Sequence, residues 1–302
     1  MRRLLALLLA LALLGGLAAC GGSDDDASPT TTRADEPTTT TEAPTTTADG
    51  ETTTTLDEHA GHGLEPGTGT KVLQYWVRGE DLATGANWVE GAAPGRQAVE
   101  ALLAGPTQPD SLSGMTSMIP EGTELGGLDI ADGTATIDLS EEFVSGGGST
   151  SMQLRVAQVV FTLTQFPTVE RVQFQIDGEV PEGLGGEGLP TAYDGRDAFD
   201  DVLPRILPES PTPYEKISSP LTVTGMANTF EATVRWSVST TEGSLLEEGF
   251  TTATAGSGTW GTFELTTDLP AYEGSVVLTL WQDSMEDGGD RLDVYEVIFV
   301  LS

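Results

Sequence analysis

A single cysteine, Cys20, stands where a long apolar run gives way to acids, in LAACGGSDDD. With no second thiol in 302 residues, no disulfide can form within the chain. Whatever folds here must rest on hydrophobic cores alone, even if the chain is exported to a compartment that permits disulfides.

The residues before Cys20 suggest what the thiol is for. Arg2 and Arg3 form a short basic start, Leu4 to Leu14 is almost wholly Leu and Ala, and Gly15-Gly16 leads into Leu17-Ala18-Ala19. This is the layout of a secretory signal, and an apolar stretch of roughly 17 residues lies near the lower limit for a spanning helix. The string LAAC resembles the bacterial lipobox. The resemblance implies removal of residues 1–19 as a lipoprotein signal peptide, a diacylglycerol on the Cys20 sulfur, and acylation of the new amino group. Two acyl chains hold a protein stably at a bilayer, whereas one does so marginally. The expectation is a lipoprotein anchored to the cell membrane through Cys20, on its extracytoplasmic face.

Residues 20–69 contain DDDASPTTTRADEPTTTTEAPTTTADGETTTT and no aromatic side chain. Such a segment buries too little apolar surface to offset its ordering entropy, so a disordered Thr/Pro/acidic tether is expected. As a flexible coil of about 48 residues it spans roughly 40 Å, and its charges and prolines lengthen it. Within it, His59 and His62 in LDEHAGHG have the spacing to clasp a divalent metal beside Asp57 and Glu58. A linker supplies no rigid shell, and the reading adopted is no metal site and no cofactor.

The charge is lopsided throughout. Residues 21–66 hold eleven acids against one base, and 36 acids face 10 bases from Gly67 onward. Nucleic acid and anionic head groups are therefore poor partners for the folded part.

From 70 to 205 the pattern mixes strands and helices. Lys71–Val77 reads as a strand. Pro94–Ala104 reads as a helix, with Pro94 at a first helical position, Ala98, Val99, Leu102 and Leu103 as an apolar stripe, and Gly105-Pro106 as the stop. Strands over 124–130 and 134–139 flank Asp132-Gly133, a hairpin turn signal. A second helix carries Met152, Val156, Val159, Val160 and Leu163, with Thr150 and Gln153 as its expected capping box. Arg171–Ile176 alternates as a strand, and an Asp-capped segment over 197–203 closes the unit. The strings LLAGP (102–106), MIPEGTEL (118–125), ATIDLSEEF (135–143) and FTLTQFPTVERVQFQIDG (161–178) together resemble the GerMN domain of spore-germination proteins and envelope lipoproteins. The resemblance implies an α+β fold of helices packed on one mixed sheet, and carries over no catalytic residue.

From 206 to 302, after Pro204, Pro208, Pro211 and Pro213, short strands alternate with turns at 221–224, 230–238, 249–253, 259–265, 276–281 and 292–301. Ala232, Val234, Trp236 and Val238 are expected to face a core, with Thr233, Arg235 and Ser237 opposite. This is the pattern of an all-β sandwich. SSPLTVTGMANTFEATVRWSV and LLEEGFTTATAGSGTWGTFEL resemble the immunoglobulin-like domain of bacterial spore germination, which often follows GerMN. Trp236, Trp260 and Trp281 are read as packing residues rather than a ligand platform. DSMEDGGDRLD (283–293) is read as an acidic hairpin turn, since it lacks the alternation and distal Glu of a calcium loop.

Both histidines lie in the tether and no cysteine remains, so the folded part has no base or nucleophile for Ser-His-Asp or Cys-His chemistry. Paired carboxylates among Asp138, Glu141 and Glu142 are the enzymatic alternative, a peptidoglycan-processing site needing two acids about 5 to 9 Å apart. The preferred reading is a non-catalytic module that binds or scaffolds an envelope protein or the cell wall, related to germination or to a sensor.

Overall fold

The aromatic run near the start of the folded part forms β1 (Thr70–Arg78), and it pairs over its whole length with an antiparallel partner, β2 (Asp81–Val89). β2 was not anticipated: Thr84-Gly85-Ala86-Asn87 carries little apolar signal, yet Leu82, Ala83 and Thr84 are buried. The computed structural model describes residues 69–186, 188–285 and 289–302. The signal segment, Cys20, the tether and its histidines lie outside the described residues.

α1 spans Pro94–Ala104 with Pro94 in its first turn and Gly105 after it, as the sequence indicates. A five-residue helix, α2 (Gln108–Leu112), follows, capped by Thr107 and Asp110 in a reciprocal capping box. β3 (Leu125–Ala131) and β4 (Thr134–Leu139) form a hairpin about Asp132 and Gly133, both at positive φ. A 3-10 turn at Glu141–Val144 leads to α3 (Ser149–Leu163), and β5 (Arg171–Ile176) returns parallel to β4. β6 (Ala192–Asp194) completes a mixed sheet in the order β3-β4-β5-β6. The mixed sheet implied by the GerMN likeness is present, and β1–β2 form a second sheet beside it.

The capping box expected at Thr150 is absent. α3 begins two residues earlier, at Ser149, with Gly148 as its cap and no side-chain capping bond. The cause is Arg155, a buried residue whose guanidinium donates to the carbonyls of Phe143 (2.9 Å), Ser145 (2.7 Å) and Gly146 (3.0 Å). These bonds set the incoming loop, and Gly146 and Gly147, both at positive φ, turn it into the helix ahead of Thr150. The Asp-capped segment is likewise a 3-10 turn (Asp197–Val202) with Arg196 at its cap position and no side-chain cap.

The remaining strands build a sandwich of two sheets. β7 (Ile206–Ser210), β9 (Leu221–Ala227) and β12 (Gly261–Thr267) make one, in the order β12-β9-β7. β8 (Lys216–Ile217), β10 (Thr233–Thr240), β11 (Leu245–Thr252), β13 (Gly274–Asp283) and β14 (Arg291–Leu301) make the other, in the order β11-β10-β13-β14-β8. β7 falls in the stretch read as proline-rich punctuation; Pro208 is accommodated because β7 is an edge strand. Val234, Trp236 and Val238 are buried as expected, whereas Ala232 belongs to a 3-10 turn (Phe230–Ala232) before β10. Ser237, expected to face water, is buried too.

One apolar core runs from Tyr75, Phe161 and Phe199 to Ile206, Leu207, Val223 and Phe299, so the α+β part and the sandwich share an interior. Among the described residues, no helix is long and apolar enough to cross a membrane.

Candidate functional site

A cleft bearing opposed charges lies where the α+β part meets β7. It encloses about 620 Å³ and is lined by Lys71 and Leu73 of β1, Thr164 and Gln165 after α3, Arg196, Glu209 and Ser210 of β7, and Thr224 of β9. Arg196 stands at its centre. Its Nε donates to Thr164 Oγ1 (2.9 Å), one Nη donates to Glu209 (2.8 Å), and the other donates to the Tyr75 hydroxyl (3.1 Å) and the Phe161 carbonyl (3.2 Å). The guanidinium also lies 4.5 Å from the Phe161 ring centroid. The Tyr75 hydroxyl in turn donates to Glu209.

Burial works against charge on Arg196, but the Tyr75 and Glu209 oxygens outweigh it and hold the guanidinium above its ordinary value. Burial also drives the Tyr75 phenol up; Arg196 opposes this and Glu209 reinforces it. Tyr75 therefore stays a neutral donor.

The rim is equally committed. The Gln165 side chain accepts from the Leu73 N–H (2.7 Å) and donates to the Leu73 carbonyl (2.8 Å), acting as a neighbouring strand would on that residue of β1. Lys71 pairs with Glu215 at 2.6 Å, and that carboxylate also accepts from the backbone and hydroxyl of Thr212. Arg78 adds a third link, donating to the Glu296 carbonyl at 3.2 Å and lying 4.0 Å over the Tyr295 ring. Charges satisfied in this way hold elements together. They do not supply a free acid, base or nucleophile.

Three buried phenols make this testable with pH. Burial raises Tyr75 and, against the opposing Arg78 charge, Tyr295; it pushes Tyr193 up to about 12. The unfolded chain releases these protons near the ordinary tyrosine value of about 10, while the folded chain retains them. Their contribution is complete below that value and is lost as pH rises from it through the folded value, by up to about 1.4 kcal/mol per pH unit for each group over that window. Alkaline titration should show phenolate absorbance rising together with loss of circular dichroism. Full ionisation with the fold intact would contradict these phenol environments.

Asp138, Glu141 and Glu142, the carboxylates considered for catalysis, do not line this cleft. Asp138 accepts from the Gly178 N–H at 2.7 Å. Glu141 and Glu142 stand exposed on the 3-10 turn after β4. The Ser140 hydroxyl, chiefly, holds Glu142 below the ordinary glutamate value, the wrong direction for a proton donor near neutrality.

Trp236 and Trp281 are buried, the latter beneath Arg291 at 3.9 Å, and Trp260 packs half-buried on the core. They form no open platform. Of the 283–293 stretch read as an acidic turn, residues 286–288 lie outside the described residues; Asp283 at the end of β13 accepts from Arg235 (2.8 Å) and Trp281 (3.1 Å), and Asp293 of β14 accepts from Gln282. Among the described residues, no group of three or more His, Cys, Asp or Glu is placed to hold a metal.

Sequence reasoning missed the Tyr75–Arg196–Glu209 cluster, whose members lie far apart in the chain. The usable signal was weak: Arg196 is a lone base among acids in YDGRDAFDD, and Glu209 stands among apolar and proline residues in ILPESP.

Residues 64–182 match the Germane family, described as sporulation and spore germination. Residues 206–289 match the immunoglobulin-like domain of bacterial spore germination. No curated protein matches the chain. Among solved structures, the chain is similar to the first GerMN domain of the sporulation protein GerM from Bacillus subtilis, with 22% identity over 43% of this chain and 98% of that one, at a TM-score of 0.36. The tandem GerMN domains of the same protein match with 18% identity over 66% and 61%, at 0.37. A Clostridium perfringens protein provisionally described as a lipoprotein matches with 25% identity over 41% and 87%, at 0.31.

Proposed function

We propose, for a chain that joins a GerMN domain to the immunoglobulin-like domain of bacterial spore germination, a non-catalytic role as a lipid-anchored binding or scaffolding module of the cell envelope. Germination is the process that the two family descriptions suggest. The observation that carries this reading is the saturated cleft. Arg196 and Lys71 are spent on Glu209 and Glu215, joining two domains that share one core, and the Gln165 amide is spent on β1, so these groups build a two-domain body.

The anchor proposed is Cys20, which would place the folded part on the extracytoplasmic side at the end of an acidic leash. The partner proposed is an envelope protein or the cell wall. Cys20→Ser should move the chain from the membrane fraction to the soluble extracytoplasmic fraction, since it removes the site of acylation. Equal membrane retention of the variant would overturn the anchor. Crosslinking of the anchored chain in intact envelopes, followed by recovery, should yield an envelope protein or wall fragments. Recovery of neither would overturn the scaffolding role.

A further inference from the structure

β3 is one of the two edge strands of the mixed sheet, the other being the three-residue β6. In the two-residue hairpin about Asp132-Gly133, Ala131 and Thr134 form the closing hydrogen-bonded pair, so bonded and non-bonded pairs alternate back along the strand. Asp129 faces Thr136 as a bonded pair. Leu128 and Ile130 face Ile137 and Ala135 as non-bonded pairs, and their N–H and C=O groups therefore point away from β4, toward the open edge. Among the described residues, no other strand pairs with β3.

The side chains of Leu128 and Ile130 share one face. They line an apolar pocket of about 340 Å³ with Ala93, Pro94 and Gly95 at the start of α1 and Phe166 after α3. Ile130 is 39% exposed. Unpaired backbone groups and an apolar pocket thus lie side by side, where the alternate side chains of an added strand would fall.

The charges around this edge select its occupant. Asp129 is exposed on β3, Asp132 sits in the turn, and the Glu170 carboxylate lies against Gly133. The neighbouring Arg96 is already paired with Glu100 at 2.9 Å. A second copy of this chain is a poor fit. Antiparallel self-pairing centred on the stretch would set Asp129 opposite Asp129, and like charges so placed repel. The bulge between Leu125 and Gly127 blunts the other half of the edge and leaves Leu128–Ala131 regular.

We infer that β3 is a docking edge for an extended segment of a partner protein, one that alternates apolar with basic side chains and adds to the sheet as a fifth strand. The inference gives the binding role proposed above a surface. Its test uses the purified chain, so it stands or fails independently of the anchor at Cys20.

The probe is a blocked heptapeptide alternating leucine or valine with lysine, offered to the full chain. Hydrogen exchange should find the Leu128 and Ile130 amides fast in the free chain and slowed by the peptide, with Asp129 and Ala131 slow throughout. N-methylation of the peptide at alternate amides should weaken binding by about tenfold in one register and by less than about twofold in the other. Ile130→Glu should also weaken binding, although it adds a negative charge facing a basic peptide. Equal effects of the two methylated registers, tighter binding by Ile130→Glu, or Leu128 and Ile130 amides already slow in the free chain would each overturn the inference. The methylated peptides test the unaltered chain, so the proposal does not depend on the variant folding.

Discussion

Arg196→Met is expected to lower the stability of the folded chain by about 3 kcal/mol in urea denaturation, the cost of breaking a largely buried ion pair from one side. The side chains of Arg196 and Glu209 are only 17% and 24% exposed, so water cannot substitute freely for the missing guanidinium. Glu209 would keep only the Tyr75 hydroxyl as a donor, and the Phe161 carbonyl would lose its Arg196 donor. Methionine retains much of the apolar stem, which separates lost charge from lost packing. In the double variant Arg196→Met with Glu209→Gln, much of the loss should be recovered, because no unpaired charge remains. A single variant within about 0.5 kcal/mol of the parent would mean that the cleft is not a latch.

Gly225→Ala should be comparably damaging for a steric reason. A Cβ at this position of β9 would collide with the Leu207 carbonyl oxygen, and would meet the Pro208 Cα and the Phe263 ring at 2.8 Å. Two of these neighbours are backbone of β7, which pairs with β9 through Ile206–Ala227, Leu207–Met226 and Pro208–Gly225. Relief requires β7 to shift, and β7 carries both Glu209 and the buried Ile206 and Leu207. A loss of about 3 kcal/mol is expected, at the upper end for overpacking. Gly127→Ala is the control, since its Cβ would meet only the Asp138 Cβ, at 3.9 Å. It should change stability by less than about 1 kcal/mol. Equal melting of the two variants would refute the steric account.

Together these substitutions probe how the two domains act as one body. The β1–β2 sheet touches α3 on one side, through Tyr75 on Phe161 at 5.1 Å, and the sandwich on the other, through Arg78 on Tyr295. Gln158 secures it from below, donating to the Tyr75 carbonyl (2.9 Å) and accepting from the Met118 N–H (2.9 Å). A partner held by either domain would therefore be held by a body with little freedom at its joint.

Elements whose signals are local were legible. α1 carries its own proline start, apolar stripe and glycine stop, and the β3–β4 turn carries its Asp-Gly pair. α3 was legible in its apolar spacing but not at its start, because a buried arginine seven residues in sets the entry. β2 was not legible, since its residues become strand only by pairing with β1 and being covered from outside. β7 was hidden by its prolines, which an edge strand tolerates.

What the sequence by itself determined is the character of each segment: a lone cysteine behind an apolar start, a threonine-rich acidic stretch, an α+β part and a strand-rich part, each announced by residues that are neighbours in the chain. Only the tertiary structure decided that Gln165, Arg196 and Glu209 share one cleft, with the buried Tyr75 bonded to the last two, and that the Leu128 and Ile130 backbone groups face outward beside a pocket. The reason is physical. Capping, turn and periodicity preferences act over a few residues, whereas a buried ion pair or an open sheet edge depends on which distant segments close around it.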